Sequence, residues 1–220
     1  MEIFDINGLK LRVSEEHRFG TDAVRLAEFA APVKSGLVIC DLCTGCGIVP
    51  FLLLSGENKR VPKRIYALDI NAEAIGLLNE SVKINSLEEI IFPLLGDLRH
   101  ITGRAPSGVS AGSADMVTVN PPYYKTGGGL IRERGGAARH ELLCELDDVA
   151  AAAAKLLKFG GRLKMCHVPE RLADVVSALR KYGLEPKAVE FLTGGKSKPW
   201  LMLVDAKKGG KPGMKIRIEN

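Results

Sequence analysis

The stretch that most restricts the fold is LVICDL (37–42), a continuous apolar run closed by Asp41 and Leu42, with the turn CTGCG directly behind it. A strand that alternates polar and apolar residues can leave one face in water. A run this uniformly apolar needs cover on both faces, as a buried strand of a parallel sheet has. A helix over 48–56 follows the turn, and this strand–turn–helix unit then recurs. RIYALDI (64–70) precedes the helical NAEAIGLLNESVKIN (71–85), with Asn71 as its cap. IIFPLLGD (90–97) and ADMVTVN (114–120) read as further strands, then a helix over 146–158 and the strand RLKMCHV (162–168). A helix from Pro169 and two strands near 185–192 and 200–206 complete the series. Ahead of it, LKLRV (9–13) alternates as a strand does, and Thr21 and Asp22 are placed to cap a helix through AVRLAEFA. The expected fold is α/β, with a mostly parallel sheet and helices on both faces.

In such a sheet, ligands bind outside the carboxyl ends of the strands. Four strand ends carry polar or turn-forming residues: Asp41 to Gly47, Asp69, Asp97, and Asn120 to Tyr123. One acid at a strand end often only caps the next helix; four such ends form an edge.

ICDLCTGCGIVP (39–50) holds Cys40, Cys43 and Cys46 beside Gly45 and Gly47. A zinc or iron–sulfur site needs about four converging ligands. Cys144 and Cys166 are far along the chain and show no paired spacing, so no metal is expected. The glycines carry the chemistry, permitting a tight turn and close ligand approach. The third glycine of a dinucleotide fingerprint is replaced by Pro50, which does not support pyrophosphate binding. Asp69 suits a ribose diol in either a nicotinamide or an S-adenosylmethionine cofactor.

VNPPYY (119–124) discriminates between them. The Asn120 amide and the Pro121 carbonyl can both accept from one planar NH₂. Pro121 and Pro122 fix the backbone, and Tyr123 can stack on the group that bears the amine. An oxidoreductase has no use for this arrangement.

DLCTGCG, ALDIN, GDL and NPPY together resemble the successive motifs of class I S-adenosylmethionine-dependent amino-methyltransferases. RFGTDAVRLAEF (18–29), GGAARHELLCELDDV (135–149), HVPERLADV (167–175) and GGKPGMK (209–215) resemble the bacterial family that includes the valine-tRNA adenine methyltransferases. The resemblance implies a Rossmann-like sheet of seven strands, the last antiparallel. It implies methyl transfer to the 6-amino group of a tRNA adenine. The backbone of Asp41, Leu42, Cys43, Thr44, Gly45 and Gly47 would pass under the cofactor's methionine and ribose. Asp69 would hold the ribose hydroxyls, Asp97 the adenine amino group, and Ile70 and Leu98 the two ring faces. Thr21 and Asp22 would close over the amino-acid end. Where the family commonly has glycine, this chain has Cys43, so an ordinary backbone is expected there. Glutamine methylation of a release factor is the rival enzyme reading, opposed by the mere 36 residues before the first parallel strand, too few for the extra helical domain of those enzymes. A non-catalytic RNA-binding module is the rival from another class.

Charge bears on the substrate. Residues 1–140 carry 16 Lys/Arg and 16 Asp/Glu; residues 141–220 carry 15 and 10, so the whole excess of +5 lies in the second part. Lys207, Lys208 and Lys211, with Arg132, Arg134 and Arg139 in the glycine-rich segment 125–140, are candidate phosphate contacts. No apolar run reaches a membrane span and the N-terminus is no signal peptide, so a cytoplasmic chain with reduced cysteines is expected; the sequence leaves the oligomeric state open, with a monomer slightly favoured. It is read as one domain over 1–220: an extension (1–35), the core (36–208) and a basic tail (209–220).

Overall fold

A computed structural model describes residues 1–55, 61–101, 109–122 and 144–220. Asn7 and Gly8 take φ of 51° and 90°, as a two-residue type I′ turn requires, and pair β1 (Glu2–Ile6) antiparallel with β2 (Leu9–Val13). Then come α1 (Thr21–Ala30), β3 (Val38–Leu42), α2 (Ile48–Leu54), β4 (Arg64–Asp69), α3 (Ala72–Ile84), β5 (Ile91–Leu95) and β6 (Ala114–Val119). After these follow α4 (Leu146–Leu156), β7 (Leu157–His167), α5 (Leu172–Lys181), β8 (Leu184–Leu192), β9 (Leu201–Lys208) and β10 (Lys215–Glu219). The main sheet runs β10-β8-β9-β7-β6-β3-β4-β5. β9 lies antiparallel to both neighbours, and the other described ladders of this sheet are parallel.

The expected α/β sheet is therefore present, with eight strands rather than seven among the described residues. The extra one, KIRIE, lies in the stretch read as a basic tail and pairs with β8 at the sheet edge. Its alternation is short and its charge conspicuous, which hides the strand. A second correction concerns α1: Gly20 holds the N-cap position, so Thr21 and Asp22 are first-turn residues rather than caps. Asn71 does cap α3, its Oδ1 accepting from the Glu73 and Ala74 N–H groups at 2.9 and 3.0 Å.

Successive strand residues enter opposite layers. Cys40, Leu42, Val117, Val119, Leu163 and Met165 pack under α4 and α5 through Val149, Ala153, Leu156, Val175 and Leu179. Ile39, Ile65, Met116 and Cys166 pack under Leu26 of α1, Phe51 of α2 and Leu78 of α3. This double burial is why LVICDL shows no alternation. From β3 the chain steps outward through β4 to β5, then returns to place β6 on the other flank of β3. That reversal opens a crevice at the carboxyl ends of β3 and β6. Among the described residues, no helix is long and apolar enough to cross a membrane.

Candidate functional site

The turn after β3 passes from strand to helix through three left-handed residues: Cys43 (φ 56°), Gly45 (56°) and Gly47 (89°). The expectation of an ordinary backbone at Cys43 is corrected. The loop is pinned on both sides, Thr44 N–H donating to the Leu68 carbonyl (3.1 Å), Gly45 N–H to Asp69 Oδ2 (2.8 Å) and Gly47 N–H to the Thr44 carbonyl (2.9 Å). That path holds Cys43 left-handed at a cost of about 1–2 kcal/mol. The two glycines serve different needs. A Cβ on Gly47 would run into the side chain of Leu78, with Cγ at 3.2 Å, whereas one on Gly45 would meet nothing within 4 Å. Gly47 permits packing on α3; Gly45 lines open space.

Asp41, beneath the turn, is 1% exposed. Its Oδ2 accepts from the Thr44 hydroxyl (2.6 Å) and its Oδ1 from the Thr118 hydroxyl (2.5 Å). Thr118 is its register partner on β6. Complete burial pushes the carboxyl up to about 7; the two hydroxyls oppose that, and the charge of Asp69 adds to it. Asp41 thus braces the turn from below, and its side chain is not turned to the crevice. Asp69 ends β4, its Oδ2 on the Gly45 N–H and its Oδ1 on the Asn71 N–H (2.9 Å). A carboxylate has about four acceptor sites, so both oxygens retain capacity for a diol. Ile70 is 38% exposed beside it. Asp97 caps the short 3₁₀ turn Leu98–His100 and grips the Arg99 guanidinium through Nε at 2.9 and 3.0 Å and Nη2 at 2.5 Å. Arg99 holds its carboxyl below the usual range. Asp97 also lines an apolar cavity of about 270 Å³ with Leu42, Tyr66, Leu68, Leu94 and Ile101. Leu98 is buried.

Across the crevice, Asn120, Pro121 and Pro122 follow the end of β6. Asn120 Nδ2 donates to Asp22 Oδ2 at 3.0 Å, and the Cys166 thiol of β7 donates to Asn120 Oδ1 at 3.0 Å. Asp22 Oδ1 accepts from the Ala23 N–H. Sequence reasoning places Asp22 near the site but misses its bond to Asn120. Sequence reasoning also misses Thr118, although it stands two residues before Asn120 on one strand; Cys166 carries no signal. Tyr123, Arg132, Arg134, Arg139 and the segment 125–140 lie outside the described residues.

Cys144 and Cys166, remote in sequence, lie beside Cys43 and Asn120 respectively. The Cys43 and Cys144 thiols are neighbours; the Cys144 thiol and burial raise the pKa of Cys43, while Cys43 lowers that of Cys144. Cys40 and Cys46 are pushed up to about 12 and about 11 by burial. The described group whose possible ligand atoms lie within 4.8 Å of one another is Glu16, His17 and Glu73, and it contains no cysteine. Of the basic residues, Lys207 and Lys211 are exposed. Lys208 instead donates to the Ala154 and Leu157 carbonyls at 2.6 and 2.8 Å, completing the C-terminal turn of α4.

Residues 9–125 match the family model of the TRM5/TYW2 methyltransferase domain. A tRNA1(Val) (adenine(37)-N6)-methyltransferase of Phocaeicola vulgatus is 28% identical over 80% of this chain and 70% of its own length. The enzyme of the same name from Tolumonas auensis is 30% identical over 67% of this chain and 58% of its own length. A tRNA (guanine(37)-N(1))-methyltransferase Trm5b of Methanocaldococcus jannaschii is 41% identical over 38% of this chain and 22% of its own. Among solved structures, a predicted O-methyltransferase, Atu636 from Agrobacterium tumefaciens, superposes with a TM-score of 0.68 at 20% identity, covering 90% of this chain and 85% of its own. Trm5 of M. jannaschii in complex with adenosine gives 0.67 at 20% identity over 95% of this chain and 55% of its own.

Proposed function

The chain belongs to the TRM5/TYW2 methyltransferase-domain family, and from that premise we propose that it transfers the methyl group of S-adenosylmethionine to the 6-amino group of an adenine in tRNA. The observation that carries the amine as acceptor is Asn120-Pro121-Pro122 facing the Gly45–Gly47 turn across the crevice. The names of the relatives from P. vulgatus and T. auensis support adenine.

The cofactor supplies an electrophilic methyl already activated by its sulfonium. The turn from Cys43 to Gly47 would leave space over Gly45 for its approach, Asp69 would accept from its ribose hydroxyls, and Ile70 would present an apolar face to it. The apolar cavity beside Asp97 suits an aromatic ring, though Asp97 must then share its carboxylate with Arg99. An aromatic amine is a weak nucleophile because its lone pair is delocalised. Asn120 Oδ1 and the Pro121 carbonyl accept its two hydrogens, favour a pyramidal nitrogen and align it with the methyl; such positioning is a large share of catalysis. No strong base is needed beforehand, since the nitrogen becomes acidic as it gains positive charge. Tyr123 is proposed to stack on the extruded base, and Arg132, Arg134, Arg139, Lys207 and Lys211 to hold phosphates, with Lys208 supporting the fold.

The test is labelled S-adenosylmethionine, the purified protein and total RNA from a strain lacking the gene, followed by nucleoside mass spectrometry. Labelled 6-methyladenosine is expected. Label in 1-methylguanosine, or in protein with RNA unlabelled, overturns the adenine assignment.

A further inference from the structure

The orientation of Asn120 is a chemical problem that its backbone does not solve. A carboxamide flipped by 180° about its terminal bond has nearly the same shape, yet it presents donors in place of an acceptor. If the NH₂ end faced the reacting amine, two donors would oppose each other and the amine would be turned away. Two neighbours remove that ambiguity. Asp22 carries a carboxylate, which as an anion only accepts, and its Oδ2 lies 3.0 Å from Asn120 Nδ2. Cys166 offers an S–H, and its sulfur lies 3.0 Å from Asn120 Oδ1. Cys166 is fully buried and packs with α1, α2 and α3, and Asp22 sits in the first turn of α1. Both are thus fixed by the packed layer, not by the crevice. A flip would set the Asn120 oxygen against the carboxylate and its NH₂ against the thiol hydrogen, losing both bonds at once.

We propose that Asp22 and Cys166 are positioning residues for methyl transfer, acting together to lock the Asn120 carboxamide with its oxygen available to the acceptor amine. The inference rests on the function proposed above and assigns Asp22 a role other than closing over the cofactor. Asn120 is the catalytic residue; the other two act through it. An amide oxygen has two lone pairs, so accepting from Cys166 does not by itself debar it from accepting from the amine. Asp22 is the stronger lock, since hydrogen bonds to a charged acceptor are about twice as strong as neutral ones.

Two measurements test this. In the first, single-turnover methyl transfer and S-adenosylmethionine affinity are measured for Asp22→Asn, Cys166→Ala, Cys166→Ser and Asn120→Ala. Asp22→Asn should slow transfer by about tenfold, and Cys166→Ala by a few-fold, with cofactor affinity within about twofold of wild type. Cys166→Ser keeps a donor and should recover most of the loss. On the Asn120→Ala background, Asp22→Asn should cost nothing further, because its effect passes through an amide no longer there. Additive losses, or a weakened cofactor affinity in Asp22→Asn, would show an independent role and overturn the proposal. In the second, the Asn120 side-chain amide is followed by ¹⁵N NMR, assigned by its disappearance in Asn120→Ala. It should shift and broaden in Asp22→Asn. An unchanged signal overturns the lock even if the RNA substrate proves to be wrong, so the two ideas fail separately.

Discussion

Gly45 and Gly47 lie two residues apart in one turn, both left-handed, and the structure separates their purposes sharply enough to be measured. For Gly47→Ala, a residue at φ 89° carries a backbone penalty of about 1–2 kcal/mol. Its Cβ collides with Leu78, which is 0% exposed and has no room to withdraw; overpacking of this kind costs about 1–3 kcal/mol. The stiffer unfolded chain returns about 0.4–1 kcal/mol. The net loss is about 2–4 kcal/mol, or about 5–15 °C in Tm for a domain of this size. For Gly45→Ala only the backbone penalty applies, since its Cβ meets nothing, and about half of it is offset by the same unfolded-state effect. Its Tm should fall by about 2–3 °C and by no more than about 6 °C, while cofactor affinity falls by about tenfold or more as the methyl occupies the approach. Differential scanning fluorimetry and calorimetric titration with S-adenosylmethionine supply both readouts. Should Gly45→Ala bind cofactor like wild type, or Gly47→Ala melt like it, the assignment of one glycine to the crevice and the other to packing fails.

Asn120→Ala should lower turnover by about 10²-fold or more while S-adenosylmethionine affinity barely changes; calorimetry that shows cofactor binding abolished would contradict its role. Asp41 keeps a proton in the folded state up to about pH 7, whereas an unfolded aspartate loses it near pH ~4. Its contribution to stability is therefore full below about pH 4 and declines as pH rises through 7. Asp41→Asn should flatten that slope in denaturant titrations run from about pH 4 to 8, and an undiminished slope would mean that other groups set it. Lys207→Ala with Lys211→Ala should reduce the salt dependence of tRNA binding by about 0.7–0.9 in logarithmic slope for each phosphate left without its lysine. Lys208→Ala should leave that slope alone and lower stability by about 1 kcal/mol through the two carbonyls it abandons.

Much of this arrangement can be read from residues alone where local chemistry decides it. The unalternating LVICDL announces a strand covered on both faces, Asn71 announces a cap, and the acids at the ends of β3, β4 and β5 mark the sheet edge at which the site is proposed. What stays hidden depends on distant partners. Nothing in the neighbourhood of Cys166 says that it will lie under Asn120, because the two strands that carry them are joined only by the register of β6 on β7. Asp97 shows both a cap and an ion pair with Arg99, a choice that its position before LRHI leaves open. The left-handed Cys43 runs against expectation because a cysteine rarely takes that conformation, and only the pinning of the loop to β4 enforces it. KIRIE reads as a tail because its charges outweigh its period. The hairpin at Asn7–Gly8 has a plain signal in its turn pair, yet LKLRV, its second strand, stands out by alternation while EIFDI does not.

The two hydroxyls on Asp41 come from very different distances along the chain, one from Thr44, three residues on, and one from Thr118, 77 residues on. The first can form as soon as the turn does. The second waits until β6 docks on β3, which closes a long loop and is correspondingly slow. Folding order is thereby written into the site. A chain in which β3, β4 and β5 have assembled already has the Gly45 turn and Asp69, the proposed cofactor-binding elements, in place, while Asn120 is still unplaced. Cofactor affinity should consequently appear earlier than transfer activity during refolding. Under mild denaturant it should outlast that activity, because opening the β3–β6 seam separates the two halves of the chemistry without dismantling either.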